Sequence, residues 1–368
     1  MAVTKVAIDG LDYSLRQQNI IINGNHIVDQ RLGATRTGID DGSGRFLSDR
    51  WQVVANGSAS ARWTGSIETS GGPVGNDKWL KLICTTADAS PGANEMAWVR
   101  QGVEASNCQP LVDTSNGKIG AFTVSGQLIA ASASSFPLKV ALVAWTDDGT
   151  ARQYVSDISV TASATWQSFE VTIPADATGS FANDTGSGMR IGFALYGGSG
   201  RQATNNTWAN YAGDCVTSAT HNWSAAEDEY IGFTDFKVEP GSFATGFEKE
   251  DYGTTLRKCQ RYLHYHTRAS SVDHIFAAGK VTTTTTAEFV ILHPVEMRAA
   301  PTLGGSASDD FGIRHANTTT TSTNLTNLVS GPNAACVVAT VSSGLTAGQG
   351  ALLFMGSDGD FIQWSAEL

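Results

Sequence analysis

At 368 residues with 41% hydrophobic content, the chain can bury a substantial core and is long enough for two domains. Its formal net charge of -11, with only 16% charged residues, excludes a nucleic-acid or anionic-membrane binder, because no Lys/Arg stripe exists to neutralise phosphates. The 39 glycines and the abundance of Thr, Ser, Val and Ala favour strands and turns over helix.

The opening MAVTKVAIDG lacks the apolar core of a signal peptide, and no run approaches a membrane span, so synthesis in a reducing cytoplasm without membrane insertion is expected. Residues 1–18 are mixed and polar, too few for a domain, and are expected to form an N-terminal docking arm. Residues 19–31 (NIIINGNHIVDQR) are predicted as two short strands around Asn23-Gly24, a strong hairpin signal. From 51 to 239, apolar runs of five to eight residues alternate with Gly, Ser, Asn and Asp, as at 79–86, 95–103, 118–130, 138–146, 166–174 and 189–197. Many short strands with even turn spacing and almost no amphipathic helix predict a jelly-roll sandwich over 19–245.

The stretch 233–239 alternates imperfectly, as expected of an edge or closing strand, and Pro240-Gly241 stops it. A linker and short helix are predicted over 246–261, capped by Thr254 or Thr255, with Leu256, Cys259 and Leu263 on one face. Beyond it charge thins, threonine runs appear at 282–286 and 318–321, and Trp364 is the one tryptophan. Residues 262–368 therefore read as a second β-sandwich. The expected fold is all-β, a jelly-roll sandwich followed by a smaller C-terminal β-sandwich.

Five scattered cysteines (Cys84, Cys108, Cys215, Cys259, Cys336) without CxxC spacing argue against a disulfide framework or structural zinc. Residues 197–230 form the longest polar stretch of the first domain. There, aromatic faces (Trp208, Tyr211, Trp223) accompany polar groups (Asn210, Asp214), which is what a neutral sugar requires: its C–H face stacks and its hydroxyls need fixed partners. The other reading is a loop packing its own tryptophans. His264 and His266 project to one face of a strand, either as metal ligands or as core-facing rings. Carboxylates cluster at Asp40-Asp41, Asp147-Asp148, Glu227-Asp228-Glu229 and Asp309-Asp310, without an EF-hand-like loop. Motifs of a nucleophile elbow, HExxH or P-loop are missing, and no catalytic residue is assigned.

The words Asn23-Gly24, Asp29-Gln30-Arg31 and Asp49-Arg50-Trp51 recur with a junction running Val238-Glu239, Gly241, Ala244-Thr245, Phe247-Glu248, Tyr252-Gly253, Leu256 and Cys259-Gln260-Arg261-Tyr262. Together they resemble bacteriophage virion proteins of the tail-fibre or appendage type, which carry a carbohydrate-binding-module-like jelly roll. His26 departs from that pattern, where an aromatic residue or Met is more usual. The resemblance implies a non-enzymatic virion protein, assembled in the host cytoplasm, that contacts host-surface glycan. It also implies a homotrimer docked to other virion proteins through its N-terminal arm. No cofactor is expected beyond a structural Ca²⁺ near Asp235 or a transition metal held by His264 and His266 on a threefold axis. Alternative readings are a head decoration or head-fibre protein, and a tailspike-like glycan-degrading enzyme.

Overall fold

The structure, a computed structural model, describes residues 19–31, 35–40, 42, 44–268 and 274–368. The expected docking arm, 1–18, and Asp41 lie outside the described residues. The chain packs as two compact units, Met1–Thr255 with Leu368, and Leu256–Glu367. None of the described helices is long and apolar enough to cross a membrane.

The first unit contains β1 (Arg36–Ile39), β2 (Gly44–Ser48), β3 (Trp51–Asn56), β4 (Arg62–Glu68), β5 (Trp79–Thr86), β6 (Met96–Glu104), β7 (Val112–Asp113) and β8 (Lys118–Ile119). It continues with β9 (Phe122–Ala131), β10 (Leu138–Thr146), β11 (Arg152–Val160), β12 (Gln167–Ile173), β13 (Ser187–Gly197), β14 (Ala209–Asn210) and β15 (Tyr230–Pro240). Six strands form one sheet in the order β1-β4-β5-β15-β9-β12, and seven form the other in the order β14-β11-β10-β13-β6-β3-β2. Every ladder is antiparallel, and sequence neighbours are distributed between the two sheets, which makes a jelly-roll sandwich. Alternation decides which residues enter the core: in β5, Leu80, Leu82 and Cys84 are fully buried while Lys81 and Ile83 are only half-buried. Trp51, Trp63, Phe193, Phe233 and Phe236 fill the space between the sheets.

Two expectations are corrected here. β15 is an interior strand between β5 and β9, and its broken alternation comes from a bulge. The register shifts between Thr234 and Lys237, and Asp235 takes a left-handed φ of 53°. The extra residue turns both Phe233 and Phe236 inward. Residues 19–31 form turns rather than a hairpin. The Asn23 side chain explains this: its Nδ2 donates to Val28 O at 2.8 Å and Asp49 O at 3.1 Å, while its Oδ1 accepts from Val28 N at 3.0 Å. Gly24 lies against the β15 bulge, donor Phe236 N reaching Gly24 O at 3.0 Å, and a Cβ there would sit 2.1 Å from Phe236 O.

The helix α1 (Tyr252–Gln260) is capped by Asp251, not by threonine. Thr254 N donates to Asp251 Oδ1 at 3.0 Å, and Thr254 and Thr255 sit within the first turns. In the second unit, β16 (Leu263–Thr267), β17 (His274–Val281), β18 (Thr286–Leu292), β19 (Thr302–Gly305) and β20 (Phe311–His315) lead to β21 (Thr318–Thr321), β22 (Asn324–Ser330), β23 (Ala334–Thr340), β24 (Gly350–Met355) and β25 (Phe361–Ser365). A three-stranded sheet (β16-β25-β19) and a seven-stranded sheet (β21-β20-β24-β17-β18-β23-β22) enclose Phe289, Phe311, Leu353 and Trp364. All-β architecture with a smaller C-terminal sandwich is therefore present.

Candidate functional site

Two surfaces of the first unit concentrate polar and aromatic groups: the outer face of each sheet.

On the seven-stranded sheet, cross-strand register places Gln52, Arg100, Gly192 and Val143 in one row, and Gly102, Arg190, Trp145 and Gln153 in the next. Val54, Trp98, Val143, Val155 and Ala194 form a second apolar cluster on this outer face, beneath Cys215 and Val216 of the long loop. That cover is why β10 is apolar from Val140 to Trp145. Burial by it pushes the Cys215 thiol up to about 12.

The loop carries all five residues assigned to glycan, and the structure separates their roles. Trp223 is fully buried in the core and donates through Nε1 to Lys139 O at 3.1 Å, so it cannot stack a ligand while the fold is intact. Trp208 is half-buried, packs on Tyr154 at 5.3 Å and donates to Pro174 O at 2.7 Å. Asn210 Oδ1 accepts from the Arg152 guanidinium, and Asp214 Oδ2 accepts from Gln153 Nε2 at 2.7 Å. All four bond within the fold, and the burial of Trp223 corrects the contact role expected of it. Tyr211 alone of the five aromatic and polar candidates combines a ring with high exposure, 45%. It stands edge-on to Trp145 at 5.2 Å.

The residue that sets Tyr211 in place is Gln153. It is buried at 1% exposure, and its Oε1 accepts from Ala212 N, Gly213 N and Asp214 N at 2.8, 3.0 and 3.2 Å. One side-chain carbonyl thus satisfies three backbone donors of an irregular segment. The only sequence signal for this was a glutamine in an otherwise buried strand.

On the six-stranded sheet, a groove of about 630 Å³ runs over the outer faces of β9, β12 and the β15 bulge. Ser125, Gln127, Ser168 and Glu170 lie along its floor, Asp235 stands at the bulge, and Phe247 and Lys249 border it. Gln127 Nε2 donates to Ser168 Oγ at 2.9 Å. This leaves Gln127 Oε1 and the Ser168 proton without an intramolecular partner among the described residues. The 244–249 rim is pinned at several points, among them Lys237 Nζ donating to Gly246 O at 3.2 Å and Lys249 Nζ donating to Gly75 O. Ala244 N donates to Glu170 Oε1 at 3.0 Å, and Thr245 donates to Glu239 through N and Oγ1, both at 2.7 Å. Glu239 itself pairs with Lys237 at 3.1 Å, both side chains being buried. Desolvation raises the Asp235 carboxyl above its ordinary range, opposed by donation from Asn76 Nδ2 at 2.9 Å and by the Lys249 charge.

Asp235 and the two expected histidines lie in different units. His264 is buried at 5% exposure, and its Nδ1 lies 3.0 Å from His293 Nδ1, in a hydrogen bond that uses one neutral ring as donor and the other as acceptor. Its burial and contact with Trp364 at 5.4 Å correct the expectation that it projects to a threefold axis. His266 is half-buried and stacks on Phe276 at 5.7 Å. Burial, followed by the charges of His266 and His293, brings His264 down to about 3, while burial and His274 bring His266 down to about 4. Among the described residues, no group of three or more His, Cys, Asp or Glu is arranged to hold a metal ion. All five thiols are free.

No protein-family model matches the chain, and no curated protein sequence does. Similar solved structures include a family 4 carbohydrate-binding module (14% identity, 60% of this chain, 98% of that chain, TM-score 0.28). A family 11 carbohydrate-binding module of a Clostridium thermocellum cellulosomal cellulase matches at 10% identity, over 58% of this chain and 99% of that chain, TM-score 0.28. The enzymatically active domain of tailspike protein 4 of bacteriophage CBA120 matches at 10% identity, over 60% of this chain but 21% of that chain, TM-score 0.31. Likeness at this level carries no argument about ligand or activity.

Proposed function

We propose that the chain is a non-catalytic glycan-binding protein of a phage appendage, whose first unit takes a saccharide in the groove on the six-stranded sheet. The observation that carries this reading is the groove itself. Its volume lies within the usual range for small-ligand sites, and its floor offers amide and hydroxyl groups held by strand register, with Phe247 at the border. Fixed donors and acceptors beside an apolar ring suit a saccharide, because positions set by ladders cost little entropy on binding. Attachment to host-surface glycan and docking to other virion proteins through residues 1–18 rest on the sequence resemblance. Assembly as a homotrimer is supported by the outer face of the second unit's larger sheet. There Val290, Cys336 and Val329 lie in one cross-strand row, and Val290, Leu292, Leu328 and Val329 are 59%, 75%, 57% and 61% exposed.

The groove also favours a second reading, a glycan-degrading enzyme. Asp235 and Glu170 both line it, and a glycosidase requires one carboxyl raised by burial, as Asp235 is, with a second carboxylate in the same groove. Incubating the full chain with an array of immobilised oligosaccharides, then measuring released reducing ends, separates the readings. Retention without release, abolished by Gln127→Leu, is expected. Release that Asp235→Asn eliminates establishes the enzyme, and no retention of any sugar removes both.

A further inference from the structure

The net charge of -11 describes the chain, not each face of it. On the outer face of the seven-stranded sheet, Arg100 and Arg190 are diagonal neighbours across the β6–β13 ladder. Each is paired with a glycine: Arg100 with Gly192, Arg190 with Gly102. No side chain on that ladder therefore lies directly opposite either guanidinium. Arg100 rests over the Trp98 ring at 4.9 Å, and its Nη2 donates to Gln52 Oε1 at 3.2 Å. It has no acidic hydrogen-bonding partner among the described residues. Arg190 Nε lies 3.1 Å from Asp147 Oδ2, within ion-pair distance but off the line of a hydrogen bond, and Asp147 also accepts from Ser187 Oγ. Asp147 is the side-chain carboxylate in ion-pair contact with the pair, Leu368 packs over Gly102 on the same face, and the Arg190 and Asp147 side chains are still 30% and 21% exposed. Burial and the Arg190 charge depress Arg100 to about 10, so its guanidinium stays charged at neutral pH. The Tyr211 ring stands edge-on to Trp145, the β10 register partner of Arg190, and the Gln153 clamp fixes the segment that follows the tyrosine.

We propose that this face is a second saccharide site, selective for a sugar unit bearing a carboxylate, with the carboxylate on Arg100 and Arg190 and the pyranose ring against Tyr211. The chemistry follows from what is missing. A half-buried guanidinium with one neutral acceptor has donors to spare, and guanidinium matches a planar carboxylate with two parallel hydrogen bonds. A ring presented beside the pair adds an apolar face that a simple carboxylate cannot use. The site is separate from the groove and rests on the glycan-binding reading only for the class of molecule.

Calorimetric titration of the full chain with trigalacturonate, neutral galactotriose and glutarate tests this. Trigalacturonate should bind at least about tenfold more tightly than glutarate, and its affinity should fall as salt is raised. Arg100→Gln should weaken trigalacturonate about tenfold or more and leave galactotriose binding unaltered. Tyr211→Ala, a change at an exposed side chain, should weaken trigalacturonate while leaving glutarate as it was. Equal trigalacturonate affinity in wild type and Arg100→Gln overturns the proposal. So does glutarate binding as tightly as the trisaccharide, which reduces the site to a carboxylate trap. Binding of trigalacturonate without galactotriose would keep this site and exclude galactotriose from the groove; the reverse would remove this site alone.

Discussion

His26 gives the first unit an acid limit whose size can be worked out. The side chain is fully buried, with its ring 5.5 Å from Trp51 and 5.2 Å from Phe233, and Nδ1 lies 3.0 Å from Ser48 Oγ. Burial lowers it from 6.5 to about 3, with a backbone hydrogen bond at Phe233 working in the opposite direction. A base depressed in the folded state is protonated first in the unfolded chain. Stability from the neutral ring is therefore complete above about pH 6.5 and is lost as pH falls toward about 3. At pH 5 the unfolded chain gains about 2 kcal/mol from this single proton, and below pH 3 about 5 kcal/mol. His26→Phe keeps a ring in the core and removes the titration. The assay is urea unfolding followed by tryptophan fluorescence at pH 7.5 and 5.0, which reports the first unit because only Trp364 of the nine tryptophans lies in the second. Wild type should lose about 2 kcal/mol more than His26→Phe between the two pH values. Equal losses would refute the reasoning, whatever the variant's stability at pH 7.5.

Trp223→Ala should destabilise the first unit by about 3–5 kcal/mol in chemical denaturation, because the ring is core and its indole nitrogen is bonded. A change under about 1 kcal/mol would return it to the surface. Lys237→Met leaves the buried Glu239 carboxylate without its cation and should cost about 3–5 kcal/mol by denaturant midpoint, whereas Lys237→Met with Glu239→Leu should recover most of it. Limited proteolysis is expected to cut within 246–251, which holds neither helix nor strand apart from the cap of α1, before either sandwich. A resistant fragment spanning that stretch would contradict the division.

The strands were legible where one rule sufficed. Residues 79–86 and 138–146 both read as largely apolar runs bounded by turn residues, and 140–145 is uninterrupted apolar sequence buried on both faces, so hydropathy located β5 and β10. The hairpin at 19–31 failed because Asn23 spends its amide on Val28 and Asp49 rather than on a turn between strands. β15 looked like an edge because a bulge breaks its period, and a bulge is recognised only once the partner strand is known. The sites were less legible for a related reason. Ser125, Ser168 and Asp235 share a groove through register between β9, β12 and β15, and Arg100 meets Arg190 through register between β6 and β13. No spacing along the chain encodes either meeting. The tryptophans drew attention to the loop at 197–230, yet they are mostly the cement that fixes it, and Gln153 positions its exposed tyrosine.

Hydrogen exchange of the full chain, with and without a saturating neutral oligosaccharide retained on the array, locates the binding surface directly. Protection is expected in backbone amides of 125–127, 168–170 and 244–249, the floor and rim of the groove. Slowed exchange confined to other segments, or none at all under saturating ligand, would contradict a saccharide site on the six-stranded sheet.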